Sequence, residues 1–281
     1  MLAPSDCWVD VLLDPQVTTH STLVALAYET RGILIDDGWL GLLGSGHPES
    51  ARPLSAEQAY AASGFEEQIV TTGAEEIISL YERHAAAWVR ARDAHHFTEA
   101  QWIKRFQELL PPACAILDLG CGSGRPIARH FIKAGFEVVG VDSSPSLIES
   151  CRVAFPNQQW VIADMRTLSL NRKFQGIVAW DSFFHLSHND QRAMFEVFRD
   201  HAADGAALIF TTGPAHGESP GLFEGELLYH ASLSKEEYQK LLAAHGFRVL
   251  RYVIDDPECG GHTVWLAQSS RSKIEAVAGI S

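Results

Sequence analysis

From residue 113 onward the chain alternates between two patterns. Short apolar runs rich in Val, Ile and Phe (ACAILDLG, FEVVGVD, QWVIA, FQGIVAW and AALIFTT) read as buried strands. Between them lie segments of helical period: RPIARHFIKAG, SPSLIESCRVAF and HNDQRAMFEVFRDHA. Strands that alternate with helices predict a parallel sheet covered on both faces. Helix starts are legible as well. Ser144 precedes a proline suited to the first helical position, and Ser187 with Asp190 and Ser234 with Glu237 have capping-box spacing.

After the fifth run the pattern changes. GPAHGESPGLFEGELLYH reads as a polar, glycine-bearing loop, followed by the helix SKEEYQKLLAAHG and two more runs, FRVLRYVID and HTVWLAQS, separated only by DPECGG. So short a connection forces an antiparallel pair, because a parallel return needs a crossover of about a dozen residues. Upstream, EEIISLYERHAAAWVRARDAHHF and TEAQWIKRFQELL read as helices that stop at Pro111-Pro112. In the first 66 residues, TLVALAYET and RGILIDDGWLGLLGSG read as two or three strands with a turn at Arg31-Gly32, and GHPESARPLSAEQ as a loop. The expected organisation is a small α+β N-terminal appendage at 1–66, a helical lid or linker at 67–112, an α/β core at 113–270 and a flexible tail at 271–281.

Composition narrows the classes. A chain of 281 residues, 46% apolar, buries one sizeable core with room for a second small unit. No run approaches 18 consecutive apolar residues and the N-terminus lacks a basic-then-apolar leader, so a cytoplasmic protein with no membrane partner is expected. Five scattered cysteines (Cys7, Cys114, Cys121, Cys151 and Cys259) form no C-x-x-C pair, which argues against a disulfide framework or a structural metal. A net charge of -13, with Lys and Arg thinly spread, disfavours nucleic acid.

The chemistry centres on ILDLGCGSGRPIARH. Gly120, Gly122 and Gly124 follow a strand and precede a helix, where glycine lets backbone come close to a ligand and leaves free helix N–H groups pointing at it. The dinucleotide pattern places its third glycine where this chain has Arg125, and a Walker loop's Gly-Lys-Ser/Thr ending is absent, so neither phosphate reading fits. Asp142 closes the next strand, where a carboxylate can accept hydrogen bonds from both ribose hydroxyls. Asp164, after the third strand, is placed to bond an adenine amino group, with Met165 packing on the ring. Asp118 can order the glycine loop from beneath.

DLGCGSG at 118–124, VDSSP at 141–145, ADM at 163–165 and the Trp180-Asp181 end of the fourth strand resemble, in order and spacing, the motifs of the class I S-adenosylmethionine-dependent methyltransferases. The resemblance covers about residues 75–268. It implies a Rossmann-like seven-stranded sheet whose last strand is antiparallel. It also implies S-adenosylmethionine held by Asp118, Gly120, Cys121, Gly122, Ser123, Gly124, Asp142, Ser143, Asp164, Met165, Trp180 and Asp181. Segments WDSFFHL, GPAHGE, LYHAS and CGGHTVWL resemble those of bacterial small-molecule methyltransferases, and residues 15–46 resemble an uncharacterised bacterial domain of unknown function.

The implied reaction is in-line methyl transfer to a small-molecule acceptor; the competing readings are a donor-binding module without turnover and a nicotinamide oxidoreductase. His185 reads as a base or substrate contact, or else as packing for the loop before Ser187. His216 with Glu218, His216 being a second catalytic candidate, and Tyr229 with His230 read as parts of an acceptor-site wall in the loop after the fifth strand; both pairs are otherwise loop polars. Trp180-Asp181-Ser182-Phe183 departs from the Asn/Asp-Pro-Pro-Tyr of amine-directed nucleobase and glutamine enzymes, and Thr211-Thr212-Gly213-Pro214 lacks the acidic pair of magnesium-dependent relatives, so no metal is expected. Tyr81, Trp88 and Trp102 form a lid over the donor or pack in their helices.

Overall fold

The computed structural model describes residues 34–36, 39–41, 73–94 and 97–270. The chain divides into two units, residues 1–70 and 71–281. In the first, strands β1 (Leu34–Asp36) and β2 (Trp39–Gly41) pair antiparallel with Ile35 opposite Leu40. The Arg31-Gly32 turn, the TLVALAYET strand, the loop after residue 46 and the tail at 271–281 lie outside the described residues.

The second unit is built on a seven-stranded sheet. Its strands are β3 (Ala115–Leu119), β4 (Glu137–Asp142), β5 (Gln159–Ile162), β6 (Phe174–Ala179), β7 (Ala202–Thr212), β10 (Phe247–Asp256) and β11 (His262–Ser269), in the spatial order β10-β11-β7-β6-β3-β4-β5. β3 pairs parallel with β4 and β6, whereas β11 runs antiparallel to both its neighbours, as the short DPECGG connection required. The first strand of the sheet lies in its middle, so the chain reverses its direction of winding between β3 and β6, the place where open α/β sheets bind ligands.

Period-two alternation sorts the side chains onto two faces. Leu117, Ile177, Leu208 and Trp265 pack on one side with Phe195 and Phe198 of α6 (His188–His201) and Tyr238 of α7 (Lys235–Ala244). Ile116, Val178, Ile209 and Val264 face the other side, against Trp102 and Phe106 of α3 (Ala100–Gln107), Phe131 of α4 (Ile127–Lys133) and Ile148 of α5 (Pro145–Ala154). Phe106, Phe131, Phe195 and Phe198 have no exposed surface; each contributes roughly 1.5–3 kcal/mol of burial. The three anticipated caps form, with the hydroxyls of Ser144, Ser187 and Ser234 accepting from the backbone N–H of Leu147, Asp190 and Glu237. Upstream, one helical run is broken at His84 into α1 (Ile77–Arg83) and α2 (Ala85–Ala94).

The segment read as a polar loop is instead a hairpin, β8 (Gly217–Phe223) with β9 (Glu226–Ser232). Glu224 and Gly225 close it at φ +51° and +81°, the two-residue turn with both φ values positive that matches strand twist. Pro220 and Gly221 inside β8 and a glutamate at the first turn position concealed the hairpin. A two-stranded ribbon tolerates them because its outer edge needs no donor.

Candidate functional site

A cleft with about 710 Å³ of empty space between its walls, the part facing solvent included, opens over the carboxyl ends of β3 to β6. Each strand end delivers part of it: Gly120 and Gly122 after β3, Asp142 and Ser143 at β4, Asp164, Met165 and Arg166 after β5, and Asp181, Ser182 and His185 after β6. Ile77, Ile78 and Tyr81 of α1 and Trp88 of α2 form the opposing wall.

The glycine turn is held from the neighbouring strand. The N–H groups of Gly120 and Cys121 both donate to the Val141 carbonyl (2.8 and 3.0 Å), and that of Gly122 donates to Asp142 Oδ2 (2.8 Å). Asp142 Oδ1 accepts from the Ser144 N–H at 2.9 Å. The carboxylate lines the cleft, where its remaining acceptor capacity is open to a ligand. Burial pushes the Asp142 carboxyl up, against the pull of these backbone bonds. Asp118 is buried and its carboxyl is raised to about 7 by desolvation and by Asp142.

The glycines are required by the protein's own atoms as much as by a ligand. All three have positive φ (+72°, +53° and +72°). A Cβ on Gly120 would sit 2.2 Å from the Ser182 Cβ, and one on Gly124 would sit 3.2 Å from both Phe155 and Trp160. Only Gly122, 3.0 Å from the Trp88 indole nitrogen, faces a movable neighbour and the cleft.

Other sequence candidates divide. Cys121 is buried with its thiol 3.8 Å from the Gly122 carbonyl, and desolvation pushes that thiol well up. Ser123 and Trp180 are buried, their Oγ and Nε1 without hydrogen-bond partners, and with Gly124 they lie behind the cleft wall. Asp164 is a bidentate partner of Arg166 and caps its own turn by accepting from the Arg166 N–H at 2.9 Å. Arg166 also reaches Asp190, at 3.4 Å. His216 is exposed and stacked on His188 with ring centroids 4.7 Å apart, away from the cleft lining. Trp102 is buried on the far side of the sheet, donating to Asp256 Oδ2 at 2.8 Å, so it packs and is not part of a lid.

His185 is brought to the cleft and its protonation is defined by its partners. Nδ1 lies 2.9 Å from the Tyr229 carbonyl, which only accepts, so Nδ1 carries the proton. Nε2 therefore accepts from the Tyr81 hydroxyl at 2.9 Å. Burial, with His230 alongside, depresses the imidazole to about 3, leaving His185 neutral. Tyr81 sits edge-on to Trp88, centroids 5.3 Å apart, and its hydroxyl is pushed well up by burial and by Asp181. Phe223, from the hairpin, packs on Tyr81, Trp88 and His84 at 5.9–6.0 Å, while Glu226 pairs with Arg83 and His84.

Asp181 has a left-handed backbone (φ +49°), with its N–H donating to Thr211 Oγ1 at 2.9 Å. Its carboxylate pairs with His262 at 2.8 Å and faces Arg92 at 3.8 Å; these cations hold it below the usual carboxylate range despite burial. Sequence reading missed Arg166, Ser182 and His262. The first two adjoin motif residues, but His262 has no local signal. Among the described residues no cluster of His, Cys, Asp or Glu has the makings of a metal site, and no helix is long and apolar enough to cross a membrane.

Residues 116–205 match the family described as methyltransferase domain, and residues 5–79 match a protein of unknown function, DUF2625. The chain is 28% identical over 101 residues to a dTDP-3-amino-3,4,6-trideoxy-alpha-D-glucopyranose N,N-dimethyltransferase of Streptomyces venezuelae, covering 35% of this chain and 42% of that one. It is 42% identical over 60 residues to a trans-aconitate 2-methyltransferase of Azoarcus, covering 20% and 23%. The chain thus spans less than half the length of the curated relatives it matches. The structure of the Burkholderia thailandensis 1,6-didemethyltoxoflavin-N1-methyltransferase, with bound 1,6-didemethyltoxoflavin and S-adenosylhomocysteine, superimposes with a TM-score of 0.55 at 17% identity, covering 78% of this chain and 93% of that one. Residues 116–205 thus match a methyltransferase domain, and the sheet beneath the cleft has the fold of the class I S-adenosylmethionine-dependent methyltransferases.

Proposed function

We propose that the chain is an enzyme that transfers a methyl group from S-adenosylmethionine to a small-molecule acceptor. The observation that carries this is Asp142: a half-buried carboxylate at the tip of β4, oriented by backbone N–H groups and lining the cleft beside a glycine turn open to it. In this reading Asp142 holds the ribose hydroxyls and Gly120 and Gly122 face the methionine part. Met165 packs on adenine, and Asp164, shared with Arg166, receives its amino group. When bound, S-adenosylmethionine supplies a methyl already activated by a sulfonium. The chain's own share is alignment and exclusion of water, on the order of 7–11 kcal/mol at best.

Charge on the walls selects the partners. Asp142, Asp164 and Asp181 line the cleft, and among the described lining residues the one cationic side chain, Arg166, is already paired with Asp164 and Asp190. Such a surface favours a cationic donor and an acceptor that offers N–H or O–H groups, and disfavours a polycarboxylate. With its imidazole depressed to about 3, His185 keeps the Nδ1 proton but cannot hold a second one at neutral pH, so it is a poor general base. The Tyr81–His185 pair therefore orients the acceptor, and an amine, whose lone pair attacks without prior deprotonation, suits it best.

Calorimetry with S-adenosylmethionine tests the donor site. Wild type is expected to bind and Asp142→Ala to lose at least tenfold in affinity; no binding by wild type, or equal binding by the variant, refutes the reading. Mass spectrometry of S-adenosylhomocysteine formed with amino sugars and with trans-aconitate then separates an enzyme from a donor-binding module. Turnover on trans-aconitate alone would overturn the charge argument.

A further inference from the structure

We infer that His262 is a positioning residue of the donor cleft, holding the carboxylate of Asp181 in place across the end of the sheet; this rests on the reading of the cleft as a donor site. The CGGHTVWL segment is otherwise unabsorbed by the proposed function, and its conformation accounts for each of its first four residues. Gly260 and Gly261 turn the chain at φ +62° and +75° between β10 and β11. That turn sets the Cys259 carbonyl 2.6 Å from His262 Nδ1. A carbonyl only accepts, so Nδ1 is protonated, and Nε2 stands 2.8 Å from Asp181 Oδ1 as an ion-pair contact without hydrogen-bond alignment. The imidazole lies beside Trp180, ring centroids 5.8 Å apart.

Asp181 needs such a partner. It follows β6 in a left-handed conformation that an aspartate adopts reluctantly, and its carboxylate lines the cleft next to Ser182, which itself touches Gly120. Arg92, on the other side, stands 3.8 Å away and is committed to Glu99. Glu99, Arg92, Asp181 and His262 thus form a row of alternating charge ending at the β10–β11 turn. The carboxylate of Asp181, supported by Glu99 and the Cys259 carbonyl, raises the His262 imidazole to about 9 although burial opposes it.

The sign of one measurement separates positioning from mere proximity. Were His262 only a cation near the cleft, its removal would strengthen binding of a cationic sulfonium. If it positions Asp181, removal weakens it. Calorimetry on the full chain is expected to show that His262→Ala loses at least tenfold in affinity for S-adenosylmethionine and distinctly less for the uncharged thioether S-adenosylhomocysteine. His262→Gln, whose amide can donate to the Asp181 carboxylate from the same position, is expected to stay within about threefold of wild type. Unchanged or tighter S-adenosylmethionine binding by His262→Ala overturns the inference. Nitrogen NMR of the ligand-free protein at pH 7.5 supplies a readout independent of donor. A doubly protonated His262 that becomes neutral in Asp181→Asn supports the pairing, and one that does not change refutes it, even if wild type binds no S-adenosylmethionine and the functional reading fails, or if His262→Ala does not fold.

Discussion

Replacing Gly120 by alanine tests whether the glycine turn is dictated by packing within the protein. The added Cβ would lie 2.2 Å from the Ser182 Cβ and 2.8 Å from its Oγ. Neither atom is the loose end of a flexible chain: Ser182 is buried and its hydroxyl donates to the Leu119 carbonyl at 2.7 Å. Relief therefore requires backbone movement, costing about 1–3 kcal/mol as overpacking. The φ of +72° adds roughly 1–2 kcal/mol for any residue with a Cβ. Together these give about 4 kcal/mol, or a fall of about 8–16 °C in melting temperature for a unit of this size. Thermal denaturation followed by tryptophan fluorescence measures it. The double variant Gly120→Ala/Ser182→Gly is expected to recover the overpacking share and not the backbone share. A single variant within 0.5 kcal/mol of wild type would refute the reasoning.

Two further outcomes follow from the same geometry. His262 titrates near 9 in the folded chain against 6.5 ordinarily, so its pairing stabilises fully below about pH 6.5 and is lost as pH rises through 9. The difference in unfolding free energy between wild type and His262→Gln should shrink by up to about 3 kcal/mol between pH 6 and 10, and a flat difference in urea titrations would count against the ion pair. In hydrogen exchange, Phe223→Ala should loosen residues 217–232 more than Glu226→Ala does: Phe223 packs on Tyr81 of α1, Trp88 of α2 and His84 between them. The Glu226 pairs lie at the surface, where solvent screens them. The reverse order would show that charge, not packing, holds the hairpin.

Much of the strand-end wall of the cleft was legible because its signals are local. The Ser144 cap, Asp142 at the tip of β4 and the three glycines each sit within a few residues of the element that needs them. The β8–β9 hairpin was not, because its turn uses glutamate where asparagine or aspartate is the usual sign of a positive φ. His185 and His216 looked alike in sequence. Only one of them reaches the cleft.

By itself the sequence determined the alternation of strands and helices that builds the seven-stranded sheet, its antiparallel final strand and the placing of Gly120, Asp142, Asp164 and Asp181 at the strand ends, since periodicity, capping and chain length between elements act over short separations. The tertiary structure alone decided which polar groups meet: Tyr81 with His185, 104 residues apart, and His262 with Asp181 across the sheet end. It also decided that Gly120 yields to Ser182 and Gly124 to Phe155 and Trp160. Such contacts depend on how distant segments stack on a common sheet, and no periodicity or propensity within either segment encodes its partner.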